Sequence, residues 1–193
     1  MAKAQRTIRI IAGSHRSRRL PVLNFDGLRP TGDRVRETLF NWLQIYLPGR
    51  KVLDLCAGAG ALGFEAASRG AKSVVMVEKS NKIARKLEQV KDDFKFSGIT
   101  VLNQTAQNYL LVTKDFFDVV FIDPPFVAEL MDELTLLSLK VVNIGGFIYR
   151  EAALSQSLTI LPDNWKLYRQ KTMGQVKIEL WQKISTDLRS ITC

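Results

Sequence analysis

The sequence predicts an α/β fold: a doubly wound, mostly parallel seven-stranded sheet with an antiparallel C-terminal hairpin, preceded by a basic N-terminal β-hairpin. Three observations predict it. From residue 51 onward, apolar runs of strand length alternate with segments of helical spacing. A glycine-rich turn, Gly58-Ala59-Gly60-Ala61-Leu62-Gly63, joins the first of those runs to the first of those helices. The C-terminal region closes on two runs around Met173-Gly174-Gln175, the pattern of a hairpin. Repeated strand–helix units with right-handed crossovers make such a sheet Rossmann-like.

The elements follow in chain order. Thr7–Ala12 and Arg18–Val22 are short strand-like runs around Gly13-Ser14-His15-Arg16, a basic hairpin. Pro30 precedes a helix that Thr31 or Asp33 could cap, with Val35, Leu39, Trp42, Leu43 and Tyr46 at helical spacing. Pro48-Gly49 ends it. Lys51–Leu55 is the first strand of the sheet and Gly60–Arg69 its helix, stopped at Gly70. Ser73–Glu78 is the second strand. Ser80 can cap the next helix, which carries Ile83, Leu87, Val90 and Phe94 on one face and ends at Gly98. Ile99–Leu102 is the third strand. Asp118–Ile122, apolar without a break after its first residue, is a fourth strand buried on both faces. Val127–Val142 reads as helix, and Gly145-Gly146 leads into the fifth strand, Phe147–Arg150. Lys166–Arg169 and Val176–Leu180 form the final hairpin. Three segments result: a hairpin extension over 1–30, the main domain over 31–185, and a frayed tail over 186–193.

Charge placement narrows the partner. Residues 1–36 hold nine Lys/Arg (Lys3, Arg6, Arg9, Arg16, Arg18, Arg19, Arg29, Arg34, Arg36) against Asp26 and Asp33, so they carry +7 of a net +9. Eight of the nine are arginine, whose guanidinium forks onto phosphate oxygens. A basic arm interleaved with apolar residues predicts a nucleic-acid-binding element rather than a solvated tail. The N-terminus lacks the apolar core of a signal peptide, and no apolar run is long enough to span a bilayer. A cytoplasmic protein without membrane attachment is expected. Cys56 and Cys193 do not resemble a structural disulfide pair, and the lone histidine, His15, has no cluster of metal ligands around it in sequence.

Two motifs carry chemistry. Asp54 to Gly63 follows the first strand and opens a helix, and Gly58, Gly60 and Gly63 match G-x-G-x-x-G. Glycine lets this turn approach a ligand closely. Glu78 ends the second strand, where a carboxylate accepts bonds from ribose hydroxyls. This leaves a nicotinamide dinucleotide and S-adenosyl-L-methionine as candidates. Asp54 beside the loop is awkward for a pyrophosphate and suits an ammonium or sulfonium. The chain also has no second domain to carry a substrate to a nicotinamide.

The second motif is Phe121-Ile122-Asp123-Pro124-Pro125-Phe126 at the end of the fourth strand. An exocyclic amino group on a base is a poor nucleophile, because its lone pair is delocalised into the ring. Acceptors on its two hydrogens, here the Asp123 carboxylate and the Pro124 carbonyl, favour a pyramidal nitrogen. Pro124 and Pro125 stiffen the loop and offer no competing donor. Phe126 can stack on the base, worth about 1–3 kcal/mol. Cys56 lies in the cofactor loop, away from Asp123, and reads as a packing residue rather than a nucleophile.

With these residues placed, the chain resembles the bacterial small-subunit rRNA guanine-N2 methyltransferases, the RsmD family, within the class I methyltransferases. The resemblance runs through Arg9-Ile10-Ile11-Ala12-Gly13 with Arg16, Arg18 and Arg19. It continues in Leu28-Arg29-Pro30-Thr31, Asp33 to Leu43, Asp54 to Gly63, Asp123 to Phe126 and Gly174-Gln175-Val176. It implies that Asp54, Ala57, Gly58 and Gly60 hold the methionine part of S-adenosyl-L-methionine and that Glu78 holds its ribose. Thr105 and Ala106 would then flank the adenine, and Asp123, Pro124 and Phe126 would hold a guanine flipped from its stack. It also implies methylation of N2 of guanine 966 in 16S rRNA, naked or in an assembling small subunit, by a monomer. The chain departs from the family pattern at Cys56 and Ala59, where Phe and Ser or Thr are usual. The stretch Asn103-Gln104-Thr105-Ala106-Gln107 lacks the acid that many relatives place near the adenine. The loop chemistry alone leaves a DNA adenine-N6 methyltransferase open, and a non-catalytic RNA-binding factor is a further alternative.

Overall fold

The computed structural model describes residues 7–21, 32–124 and 128–185. Strands β1 (Thr7–Arg9) and β2 (Arg19–Pro21) form an antiparallel hairpin, pairing Ile8 with Leu20. Then follow α1 (Asp33–Trp42), β3 (Lys51–Asp54), α2 (Ala61–Ser68), β4 (Ser73–Val77), α3 (Asn81–Asp93) and β5 (Ile99–Leu102). The second half holds α4 (Ala106–Val112), β6 (Phe117–Ile122), α5 (Ala128–Ser138), β7 (Val142–Ala153), β8 (Trp165–Met173) and β9 (Val176–Lys183).

The main sheet has seven strands in the order β5-β4-β3-β6-β7-β9-β8. Neighbours from β5 to β7 are parallel, and β9 runs antiparallel to both β7 and β8. The fold class expected from the sequence is therefore the one observed. The chain winds outward from β3 through β4 to β5, then crosses back to β6 and β7. Strand order reverses between β3 and β6, which opens a crevice at their carboxyl ends.

Each face of the sheet is covered. On one face Leu39 and Phe40 of α1, Phe64 of α2 and Leu87 and Val90 of α3 pack over Val52, Val119, Phe121 and Tyr149. On the other, Tyr109 and Leu110 of α4 and Met131 and Leu134 of α5 pack over Leu53, Val120, Ile122 and Ile148. Alternation along the strands divides the two cores.

The basic hairpin puts Ile10 and Leu20 into the first core, while Ile8 packs with Ala61 of α2, and all three hairpin residues are at most 3% exposed. Its backbone is tied to α2. Glu65, buried in that helix, accepts from the N–H of Ile11 at 2.8 Å and of Ala12 at 3.1 Å. Ser68 Oγ donates to the Ala12 carbonyl at 2.6 Å and accepts from His15 N–H at 3.0 Å. Gly13 has φ +87° and lies so close to α2 that a Cβ would fall 1.8 Å from the Ser68 carbonyl oxygen. The His15 ring stacks on Phe96, 3.8 Å between centroids, and its Nε2 lies 3.0 Å from the Phe94 carbonyl oxygen. This histidine is a packing group.

Several local expectations change. Gly32, not Thr31 or Asp33, is the N-cap of α1, and no side chain caps it. Asp33 is the first helical residue, and its carboxylate takes Arg36 instead. Ser80 is the N-cap of α3, yet its hydroxyl makes no capping bond, and its backbone N–H goes to Glu78 Oε1 at 2.7 Å. Helix α4 has too short an apolar stripe to stand out in sequence, and Thr105 caps it by accepting the Asn108 N–H at 3.2 Å. Helix α5 stops at Ser138, and one tighter turn over Leu139–Val141 leads directly into β7. Gly145-Gly146 lies within β7 rather than before it. Phe117 pairs with Val142 while Val119 pairs with Phe147, so the extra residues bulge where Gly145 takes φ +81°.

Candidate active site

The crevice between β3 and β6 collects carboxylates from adjacent strands. Asp54 is the last residue of β3 and stands opposite Phe121 of β6. Asp123 is one residue past the end of β6, and Glu78 one past the end of β4. Asp54 and Glu78 are 2% and 8% exposed. Each holds the glycine loop by a backbone donor: Asp54 Oδ2 accepts from Gly63 N–H at 2.9 Å, and Glu78 Oε2 from Gly58 N–H at 3.0 Å. The loop is tightened further by Ala57 N–H to the Val77 carbonyl at 3.0 Å and Gly60 N–H to the Ala57 carbonyl at 2.7 Å. Gly60, the N-cap of α2, has φ +80°, and a Cβ there would meet the Phe64 ring at 2.5 Å. Only glycine fits that turn.

The electrostatics of the crevice are one-sided. Burial, then the neighbouring Asp123 and Glu78 charges, push the Asp54 carboxyl up to about 7, against the lowering effect of the Gly63 and Cys56 N–H groups. No ion pair among the described residues reaches Asp54 or Glu78. Such a site favours a cation. Burial and the same three carboxylates push the Cys56 thiol up to about 12, so it stays protonated and is no nucleophile. At the outer end of the crevice Asn103 Nδ2 donates to the Glu78 carbonyl at 2.9 Å and the Lys79 carbonyl at 3.1 Å, joining the ends of β4 and β5. Thr105 and Ala106 begin α4 just beyond. Among the described residues no group of three or more His, Cys, Asp and Glu could hold a metal ion. No helix among them is long and apolar enough to cross a membrane.

The structure thus brings together Asp54, Ala57, Gly58, Gly60, Glu78, Asp123 and Pro124. Pro125 and Phe126 lie outside the described residues, as do Arg6, Arg29 and the 186–193 tail. Of the arginines expected to face phosphate, Arg16, Arg18, Arg19 and Arg34 are exposed. Arg9 is half-exposed, 3.9 Å from both Asp33 and Glu37 carboxylates. Arg36 requires correction. It is 1% exposed, donating to the Arg9 carbonyl at 3.0 Å and to Asp33 at 2.5 Å, with Glu65 3.8 Å away. Its guanidinium holds the hairpin to α1 and α2 and does not face phosphate. Glu65, which sequence reasoning passed over, is the acid that makes this burial tolerable. A glutamate inside the apolar run Ala61–Ala67 was its only signal.

A reversing parallel sheet of this order, with a carboxylate-held glycine loop after β3 and the Asp-Pro-Pro-Phe sequence after β6, defines the chain as a Rossmann-like methyltransferase by class. Comparison with known proteins narrows the class. The family model for conserved hypothetical protein 95 matches residues 8–182. The ribosomal RNA small subunit methyltransferase D of Haemophilus influenzae is 43% identical over 93% of this chain and 95% of its own. Among solved structures, yhhF of Escherichia coli, described as a candidate methyltransferase, superposes with a TM-score of 0.83 at 38% identity, covering 93% of this chain and 99% of that one. A Haemophilus influenzae structure described as a candidate methylase gives a TM-score of 0.80 at 38% identity, covering 93% and 99%. The chain belongs to the ribosomal RNA small subunit methyltransferase D family.

Proposed function

We propose that the protein transfers a methyl group from S-adenosyl-L-methionine to the exocyclic N2 of a guanine in small-subunit (16S) rRNA, the position numbered 966 in that RNA. The single observation behind the reading is the adjacency of Asp54 and Asp123. They end neighbouring strands, and the second raises the pKa of the first. One carboxylate suits a cationic donor, and the other suits the amino group that receives the methyl.

The residues present fit that donor. Asp54 is buried beside the Asp123 and Glu78 carboxylates, no ion pair among the described residues reaches it, and the Gly60 turn admits no Cβ. Asp54, Ala57, Gly58 and Gly60 would hold its methionine part, Glu78 its ribose, and Thr105 and Ala106 its adenine. When bound, the sulfonium supplies an electrophilic methyl, so no covalent nucleophile is required. The chain's own work is placement. Asp123 and the Pro124 carbonyl accept the two amino hydrogens, turn the nitrogen lone pair toward the donor, and exclude water. In-line positioning of this kind contributes roughly 7–11 kcal/mol in favourable cases. Arg9, Arg16, Arg18, Arg19 and Arg34 would grip RNA through phosphates, with Arg6 and Arg29 adding to them.

The test is transfer of labelled methyl to 16S rRNA, naked and in small-subunit particles, with mapping of the product. Methylguanine in one of the two substrates is the expected result. Methyladenine in DNA with no methylguanine in rRNA would sink the reading. The monomeric state and a cytoplasmic site of action belong to the same proposal, the first checked by light scattering.

A further inference from the structure

We infer that Glu151 is the base-selecting residue of this site: it accepts the ring N1–H of guanine beside the amino group held at Asp123. The inference rests on the guanine-N2 reading above and deepens it. The Asp123 carboxylate and the Pro124 carbonyl can hold any planar amino group, so something else must separate guanine from adenine.

Position comes first. β6 and β7 run parallel with Phe121 opposite Tyr149 and Ile122 opposite Arg150. Glu151 is the next residue of β7, and Asp123 follows the end of β6 directly. The rings of Phe121 and Tyr149 meet edge to face, 6.1 Å between centroids, so they share one face of the sheet. Residues two apart on a strand share a face, which puts Glu151 on that face, and the charges of both Glu151 and Asp123 act on the Tyr149 hydroxyl, so the two carboxylates lie beside one ring. Arg150 points to the other side, where it meets Glu179 at 2.5 Å.

Orientation comes second. Tyr149 donates its hydroxyl to Glu151 Oε2 at 3.0 Å. Burial, with the charges of Glu151 and Asp123 behind it, holds that hydroxyl well above its ordinary pKa, so it remains a donor. Glu151 is itself only 6% exposed. A carboxylate offers about four acceptor positions.

Chemistry then decides the base. Guanine presents two donors side by side, N1–H and the N2 amino group, and two adjacent carboxylates match them. Adenine presents its amino group beside an N1 lone pair, which would face the Glu151 carboxylate without a proton between them. A site that pairs a substrate N–H rejects the analogue lacking it by a large factor, because its own buried group is left unpaired.

The experiment uses the full chain and the rRNA substrate carrying either guanine or 2-aminopurine at the target. 2-Aminopurine keeps the amino group but has a lone pair at N1. Wild type is expected to prefer guanine by at least about 100-fold in kcat/KM. Glu151→Gln, whose amide can donate to that lone pair, is expected to narrow the ratio at least about tenfold. The oxygen that 2-aminopurine lacks at C6 is missing for both enzymes and cancels from this comparison. An unchanged ratio, with both bases slowed equally, would make Glu151 a purely structural residue. Should Glu151→Gln not fold, as judged by its melting curve, Glu151→Asp withdraws the carboxylate by one methylene and must narrow the ratio as well. A wild type that methylates no guanine overturns the functional reading first, and the two failures are distinct.

Discussion

Glu65 and Asp54 are carboxylates of equal burial on opposite sides of one loop, and they do opposite things. Glu65, 0% exposed, is surrounded by donors: two backbone N–H groups, Arg69 at 2.6 Å and Arg36 at 3.8 Å. Asp54, 2% exposed, has two backbone donors and is otherwise faced by Asp123 and Glu78. A buried carboxylate with its charge matched is a fastener. One with its charge opposed carries a cost that a proton or a cationic ligand relieves. Burial alone does not distinguish the two, and the sign of the surroundings does.

The largest expected effect tests the opposed side. Asp123→Ala removes an acceptor at the reacting nitrogen and should lower methyl transfer on the order of 10³-fold, by analogy with loss of one positioned hydrogen-bonding group. RNA binding should stay near wild type, and the melting temperature should not fall, because a charge opposing Asp54 is removed. A variant that retained full activity would mean that Asp123 does not hold the amino group.

Substituting one carboxylate on each side gives the sharpest contrast, because the signs differ. Glu65→Ala leaves Arg36 buried with too little counter-charge and should cost about 3–5 kcal/mol, or at least about 6 °C of melting temperature. Asp54→Asn keeps an oxygen for the Gly63 N–H, removes the repulsion and should raise the melting temperature of the ligand-free protein while weakening S-adenosyl-L-methionine. Destabilisation by both substitutions would erase the distinction.

A third effect is read in pH. Asp54 titrates at about 7 in the folded chain and at 3.8 in the reference state. Between those values the folded chain holds a proton that the unfolded chain has released. Stability of the ligand-free protein therefore falls as pH rises from about 4 to 7, by at most about 1.4 kcal/mol per unit, and levels above. Cofactor affinity runs the other way. It should rise by at most about tenfold per unit toward pH 7, because the ionised form faces the cation. Calorimetric titration from pH 5.5 to 8 checks this, and Asp54→Asn should flatten both profiles.

Legibility in the sequence followed the same divide. Strand–helix alternation disclosed β3 to β7, and Asp54, Glu78 and Asp123 were found because ligand sites sit at strand ends, where short motifs mark them. What could not be read was which charges meet across long separations. Arg36 looked like one more cation of a basic arm, because its partner Glu65 is 29 residues away and the backbone carbonyl it binds belongs to Arg9. Helix α4 does not show in the sequence because seven residues are too few for Ala106, Tyr109 and Leu110, which pack into the second core, to display a period. Glu151 falls just past the expected strand Phe147–Arg150, and its meaning depends on the register of β7 with β6.

The smallest expected effect falls on Thr105, which has both a structural and a proposed binding assignment in one side chain. Its Oγ1 accepts the Asn108 N–H at 3.2 Å and starts α4, the helix placed to flank the adenine. Thr105→Ala should cost about 1 kcal/mol as the loss of an N-cap. If capping is the whole of its role, Thr105→Ser restores both the melting temperature and S-adenosyl-L-methionine affinity, because serine caps as well as threonine. If the methyl group itself lies against the adenine, serine restores stability and leaves affinity several-fold low. Either result places Thr105: with Glu65 as a fastener, or with Asp54 as a residue whose worth appears only when the ligand is bound.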